Sequence, residues 1–447
     1  MSFIKHSIQT IGVRVFSMVL MFLVGVITAR TLGPEGDGIL ALLILLKNLC
    51  LRFGNLGMGS AFVYMLARRP NCLRRFIRLA WLLSVLVIGL GISVLLLIWR
   101  MDFSPWKDIE PMLFYLSFPM IFFFFINNYF QRILSGQLRI SEMNIADLLA
   151  GVCNLSLLLL FTVGLSWGLV GGVAAFVISD GIVFVYLLSR IYRRLPAAES
   201  GCEPVATGAP VSVAQLWQYG GWSYLAMLTN FLVEEIPLIF LKLFVSSNIQ
   251  VGLFHKARTL GRQSRLVALP VSQVLFPYTA NSQEAASVNR TNTLCRNSIL
   301  VMGVLIGLSA MLIKPIILFL YGEAFLPSAA IFYGLAIGVI VWPCSNFLGV
   351  HIAAAGRPKL LSLLSVASLV IAAAVYWPVI SRCGTAGIGW GISTVYVVQL
   401  ILRLAGYLHI TKTSLWQVLI PQRHDLKYYF RLVWLPGHIK NNRGGRE

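Results

Sequence analysis

The chain has 447 residues with 36 Lys+Arg against 16 Asp+Glu, a net charge of +20, yet only 12% of it is charged and 58% is hydrophobic. Soluble globular domains carry roughly 25% charged residues. These proportions, with a mean hydropathy of +0.80, exclude a disordered chain, a secreted disulfide scaffold and an ordinary cytosolic enzyme. At ~20–25 residues per spanning helix, the length serves about twelve membrane spans rather than three soluble domains.

Apolar runs of spanning length recur between short polar breaks, at roughly 9–30, 38–66, 78–100, 111–133, 143–164, 167–190, 217–244, 250–276, 297–320, 327–355, 360–380 and 385–408. Each must be helical, because lipid offers backbone groups no other partner. The first run follows Lys5 and Arg14 and meets no small-x-small pattern before the break at Arg30–Gly38, so it reads as an uncleaved span. Span 2 is punctuated by Gly54, Gly57 and Gly59, which predicts a kink. The seven cysteines form no C-x-x-C, and no two share a segment, so neither a zinc site nor a disulfide framework is indicated.

Lys and Arg sort onto alternate breaks. One set, with the tail, holds 23 of them, Arg296 and Arg403 included; the other holds five (Arg30, Arg100, Lys107, Lys242, Arg382). By the positive-inside rule both termini are cytoplasmic. The longest break, 191–216, divides the spans six and six, giving an N-terminal bundle 1–190, a linker 191–216, a C-terminal bundle 217–410 and a basic tail 411–447.

The halves read as repeats. Gly38 after span 1 faces Gly252 after span 7, an offset of 214. Gly136-Gln137-Leu138-Arg139 faces Gly356-Arg357-Pro358-Lys359 at 220, and Gly168-x-x-x-Gly172 faces Gly387-x-x-x-Gly391 at 219. Because six is even, both repeats keep one orientation, and their axis runs along the membrane normal. The expected fold is an all-α polytopic membrane protein: about twelve transmembrane helices, as two six-helix bundles in a parallel repeat around a central cavity.

The run Ala29-Arg30-Thr31-Leu32-Gly33-Pro34-Glu35-Gly36-Asp37-Gly38 resembles the first-loop signature of polysaccharide transporters. Leu56-Gly57-x-Gly59-Ser60-Ala61, Leu320-Tyr321-Gly322-Glu323-x-Phe325 and Ala355-Gly356-Arg357-Pro358-Lys359 resemble later signatures of that family, in order. It belongs to the multidrug/oligosaccharidyl-lipid/polysaccharide exporter superfamily, and the resemblance covers residues ~7–410. It implies a MATE-like fold in a bacterial inner membrane. The implied activity is flipping of undecaprenyl-diphosphate-linked oligosaccharide from the cytoplasmic to the periplasmic leaflet. The superfamily also holds cation/drug antiporters and lipid II flippases.

Eight basic residues fall inside spans: Arg14, Lys47, Arg52, Lys256, Arg258, Arg262, Arg265 and Lys314. A charge at the bilayer centre costs at least ~2.5–3.5 kcal/mol unless it faces water or a partner. Snorkelling near span ends accounts for Arg14 and competes for Lys314 and Lys256. Arg258, Arg262 and Arg265 share one helical face, as do Asn48, Arg52 and Asn55 on the equivalent span of the first repeat. Lys47 stands ~140° from Arg52 at 100° per residue. The expected substrate-binding cations are Arg52, Arg262, Lys47, Arg258, Arg265 and Lys256; the bland alternative is a span dipping into the interface. The spans hold four acids, Asp147, Asp180, Glu234 and Glu235. These are expected to couple ions or to serve as counter-charges for the arginines; the alternative is plain salt bridges between helices. A second polar face on span 7 runs through Ser223, Asn230 and Glu234.

A surplus of cations in the spans suits a diphosphate, which Arg binds bidentately, better than a cationic drug. An enzyme of the same pathway, a polymerase or glycosyltransferase, is the contrasting class. No D-x-D, H-E-x-x-H or Ser/His/Asp grouping supports it, and the outside loops are too short for a catalytic domain. The expectation is therefore no catalytic residue, no metal and no cofactor, with H+ or Na+ coupling left open. The expected partners are the lipid-linked glycan, membrane lipids and enzymes of the same pathway. No nucleic acid is expected, because the basic residues concentrate at cytoplasmic span ends, where anionic headgroups explain them.

Overall fold

The computed structural model describes residues 2–55, 62–63, 66, 73–100, 106–137, 139–193, 213–263, 268–269, 271–272, 275–276, 278–279 and 284–420. Most of the predicted linker (194–212), Arg265, Gly57, Gly59 and the tail beyond Ile420 lie outside them.

Twelve α-helices follow one another among the described residues: α1 Ser2–Asn55, α2 Leu73–Arg100, α3 Pro111–Gly136, α4 Ile140–Leu158, α5 Gly168–Tyr192, α6 Val213–Val245, α7 Asn248–Gln263, α8 Glu284–Met311, α9 Ile313–Leu320, α10 Ser328–Ala354, α11 Pro358–Thr411 and α12 Leu415–Leu419. Eight of them are long and apolar enough to cross a membrane. Both 54-residue elements are two helices joined through a glycine: Gly33 interrupts α1 at φ 65°, and Gly384 interrupts α11 at φ 54°. These left-handed positions admit glycine at no steric cost. They separate spans 1 and 2, and spans 11 and 12, where the polar breaks predicted it. A π-helical turn, Leu159–Gly164, extends α4 to the predicted end of span 5.

Span 9 departs from expectation. Its predicted start was 297, but α8 begins at Glu284 and gives way to the short α9 after Met311. The first turns of α8 are polar, so a hydropathy window skips them, yet Ser287, Thr291 and Asn292 on one face are buried. Thr291 Oγ1 lies 2.9 Å from His351 Nδ1, and Tyr407 donates to Asn292 Oδ1 at 2.8 Å. Arg296, assigned from the sequence to a cytoplasmic break, is 4% exposed and donates to the Gln417 carbonyl of α12. Arg403 likewise sits inside α11, buried, donating to the Ser345 carbonyl at 3.2 Å.

The chain forms two compact units. The first comprises residues 1–257, 314–329 and 379–385; the second comprises 258–313, 330–378 and 386–447. In the first, α1, α3, α4 and α5 pack around Phe125, Tyr129, Phe130, Leu134 and Leu187. Phe184 stacks on Phe130 with ring centroids 6.1 Å apart, and Trp81 of α2 meets both rings edge-on. In the second, Cys295, Cys344, Phe347, Leu404, Tyr407 and Val418 form the core, joining α8, α10, α11 and α12.

Candidate functional site

The basic residues of the spans separate into three settings. Arg52, near the C-terminal end of α1, is half-buried and pairs with no carboxylate among the described residues. Its guanidinium lies 5.3 Å from the centre of the Phe231 ring, and Nη1 lies 3.5 Å from the Met227 sulfur. Tyr224 donates its hydroxyl to the Arg52 carbonyl at 2.6 Å. Tyr224, Met227 and Phe231 recur at i, i+3 and i+7, so one face of α6 supports the arginine. That face is not the predicted polar one. On the predicted face, Asn230 donates to the Ala226 carbonyl at 2.7 Å and makes a further interaction, and the Ser223 side chain lies outside the described residues. A cation over an aromatic face keeps its charge and its outward donors.

Lys47 occupies a different face of α1. Its Nζ lies 3.8 Å from Asp180 Oδ2 on α5 and 4.1 Å from the centre of the Phe124 ring. Asn127 donates to the Asp180 backbone carbonyl at 2.9 Å. The geometry thus makes Asp180 the counter-charge of a lysine, rather than of the arginines. Asp147 accepts from Gln131 at 3.3 Å. Glu234 is half-buried and Glu235 buried, and both take part in further interactions.

Lys256 is enclosed. Its Nζ sits 2.6 Å from Asp37 Oδ1, both side chains being 1% exposed. It donates to the Gly25 carbonyl at 2.7 Å and to Thr28 Oγ1 at 3.1 Å. His255 Nδ1 holds the other Asp37 oxygen at 2.9 Å. Sequence reasoning reached Asp37 only as a member of a signature and passed over His255. One signal existed: Asp37 adjoins Gly38, and Lys256 stands one turn beyond Gly252, the repeat-matched glycine. Those two glycines pack against each other. A Cβ on Gly38 would lie 2.9 Å from the Gly252 nitrogen, and a Cβ on Gly252 would lie 3.1 Å from the Gly38 nitrogen. Arg258 and Arg262, further along α7, are half-buried in the second unit and make interactions of their own.

A multi-pass helical protein with broken spans and basic side chains held within them has the build of a membrane transporter. The chain belongs to the family described as Polysaccharide biosynthesis protein, which matches residues 3–283. Solved structures of similar fold include the lipid II flippase MurJ in an inward closed conformation, at 16% identity and a TM-score of 0.68, covering 97% of this chain and 94% of that one. An inward-facing multidrug resistance transporter of the MATE family in the MOP superfamily aligns at 15% identity and a TM-score of 0.66, over 89% of this chain and 96% of that one. A MOP superfamily transporter from Pyrococcus furiosus aligns at 14% identity and a TM-score of 0.61, over 91% and 94% of the two chains. No curated protein matches the sequence. The fold is the one these solved transporters and flippases share.

Proposed function

We propose that the protein flips an undecaprenyl-diphosphate-linked oligosaccharide from the cytoplasmic to the periplasmic leaflet of a bacterial inner membrane, by alternating access of two six-helix halves. The observation that carries this reading is Arg52. A guanidinium on a spanning helix is costly unless something repays it, and among the described residues no carboxylate does. Propped on Phe231 and Met227, it offers the planar donor fork that takes a phosphate bidentately. A cation exporter has no use for such a group. A lipid II cargo shares the diphosphate, and likeness to a flippase for that lipid supports the same ligand chemistry. In the Pyrococcus furiosus transporter, a binding pocket of reverse polarity suggests a different function for that protein; a basic site within this fold fits such variety. Polymerase and glycosyltransferases of the same pathway are the natural partners of this activity.

The test is reconstituted flipping of a diphosphate-linked lipid. Arg52→Ala is expected to lower the rate at least tenfold with normal insertion, and Arg52→Lys to restore part of it, since a point charge loses the bidentate geometry. An alanine variant that flips at the wild-type rate would overturn the reading, as would export of cationic dyes in its place.

Orientation gives a second expected result. Reporters fused after Gly36 and after Glu323 should read periplasmic, and fusions after Arg194 and after Gln422 cytoplasmic. A periplasmic signal at Arg194 would contradict the twelve-span arrangement.

A further inference from the structure

In the first unit, four interhelical connections meet around two ion pairs, and each pair joins the two halves of the sequence. Asp37, just after the Gly33 break, faces Lys256 of α7 in a dry setting. Asp108, between α2 and α3, holds Lys242 at the end of α6: its carboxylate is 2.8 Å from Nζ. Lys242 is buried and also donates to the Ser246 carbonyl at 3.1 Å and to Asn248 Oδ1 at 2.9 Å, whereas the Asp108 side chain is more than half exposed. Both carboxylates come from the first six spans, and both lysines from the next two. Arg30 adds a tie of the same sense, donating through Nε to the Leu320 carbonyl at 3.0 Å, at the C-terminal end of α9. A cation there also meets the negative end of the helix dipole.

We infer that the pairs Asp37–Lys256 and Asp108–Lys242 are a latch that closes the Gly33 end of the transporter in one phase of its cycle and opens in the other. The inference rests on the transport reading. If the two halves exchange access, any contact that ties them at one face has to break when cargo leaves by that face. The chemistry suits repeated breaking. Desolvation nearly cancels the attraction within a buried ion pair, so the closed and hydrated forms stay close in energy. An apolar seam of equal area would instead have to expose its surface to water on every turnover. The crossing beneath the latch is made by Gly38 and Gly252, backbone against backbone. Such faces part without any side chain changing rotamer. His255, with its ring 23% exposed, gives Asp37 a second partner from the same helix as Lys256 and marks the rim where water enters first.

The test uses the full chain in liposomes, in a cysteine-free background with spin labels at positions 35 and 249. These positions are exposed, and one stands on each half. Dipolar electron resonance reads the distance between them without any cargo. Asp37→Asn and Lys256→Met are each expected to enlarge the long-distance population at least threefold, and the swapped pair Asp37→Lys with Lys256→Asp to return it toward the starting value. Asp108→Asn should shift the population the same way by a smaller factor. Unchanged distributions in the neutral variants would overturn the latch. If the inner-pair variants fail to insert, Asp108→Asn and Lys242→Gln decide, and unchanged distances there would overturn it equally. Because no cargo is present, a latch response alongside a transport-competent Arg52→Ala protein would refute the diphosphate site and leave the latch standing.

Discussion

Gly252→Val, and separately Gly38→Val, should lower the yield of inserted, folded protein at least tenfold and abolish transport in what remains. At Gly252 the added Cβ would meet the Pro34 carbonyl carbon at 2.9 Å; at Gly38 it would meet the Asn248 carbonyl carbon at the same distance. It would run into the oxygens of those same carbonyls first, since they stand nearer still. All of these are backbone atoms, which cannot swing aside as a side chain can. Relief requires the helices to stay apart, so the closed contact, with Lys256 on Asp37, cannot assemble as the protein folds. Gly89 and Gly303 provide the control, since a Cβ on either meets nothing within 4 Å. Alanine at those sites should leave yield unchanged or gain up to ~1 kcal/mol from helix propensity. Fluorescence-detected size exclusion and thermal unfolding in detergent measure both sets. A Gly252→Val protein that folds and transports normally would show that the crossing is looser than its geometry.

The pair Lys47–Asp180 should behave in the opposite manner, with single changes costly and the double change mild. Asp180→Leu leaves an ammonium between Phe124 and α5, and Lys47→Met leaves a carboxylate whose Oδ2 accepts no hydrogen bond among the described residues. Each single variant is expected to lose about 3 kcal/mol, the lower range for stranding one partner of a buried pair. Lys47→Met with Asp180→Leu should recover most of that loss, because an apolar pair of similar volume has no desolvation to offset. Thermal unfolding of the four proteins gives the cycle. Transport by the double variant then separates two roles: a coupling site stays inactive even when folded, whereas a plain counter-charge is dispensable. Recovery of neither stability nor transport would mean that Asp180 contacts more than its lysine.

The spans were legible in the sequence because lipid forces a helix and hydropathy reports lipid. The breaks at Gly33 and Gly384 were legible for a related reason, since a left-handed turn between apolar runs selects glycine. The repeat offset of 214 was legible too, and the contact of Gly38 with Gly252 gives it a spatial meaning. Partner choice was not. Helical spacing tells which residues share a face, so Arg52 and Lys47 were correctly set apart. Nothing in spacing says that Lys47 meets Asp180, or that Lys256 meets an aspartate 219 positions earlier. Nor does spacing say that Arg296 reaches the Gln417 carbonyl, or Arg403 the Ser345 carbonyl.

The same separation of 219 residues sets a clock during synthesis. Ribosomes add about 5–20 residues per second, so Asp37 enters the membrane about ten to forty seconds before Lys256 is made. For that interval its carboxylate stands at the start of an apolar helix with no ammonium to neutralise it. The first six spans must therefore wait with that end near water or near the insertion machinery, and cannot settle into their final depth. Arrival of α7 then completes the ion pair, the histidine contact and the glycine crossing together. Maturation of the first half is timed by the second, so a chain truncated before residue 256 should carry a first half that quality-control proteases recognise as unfinished.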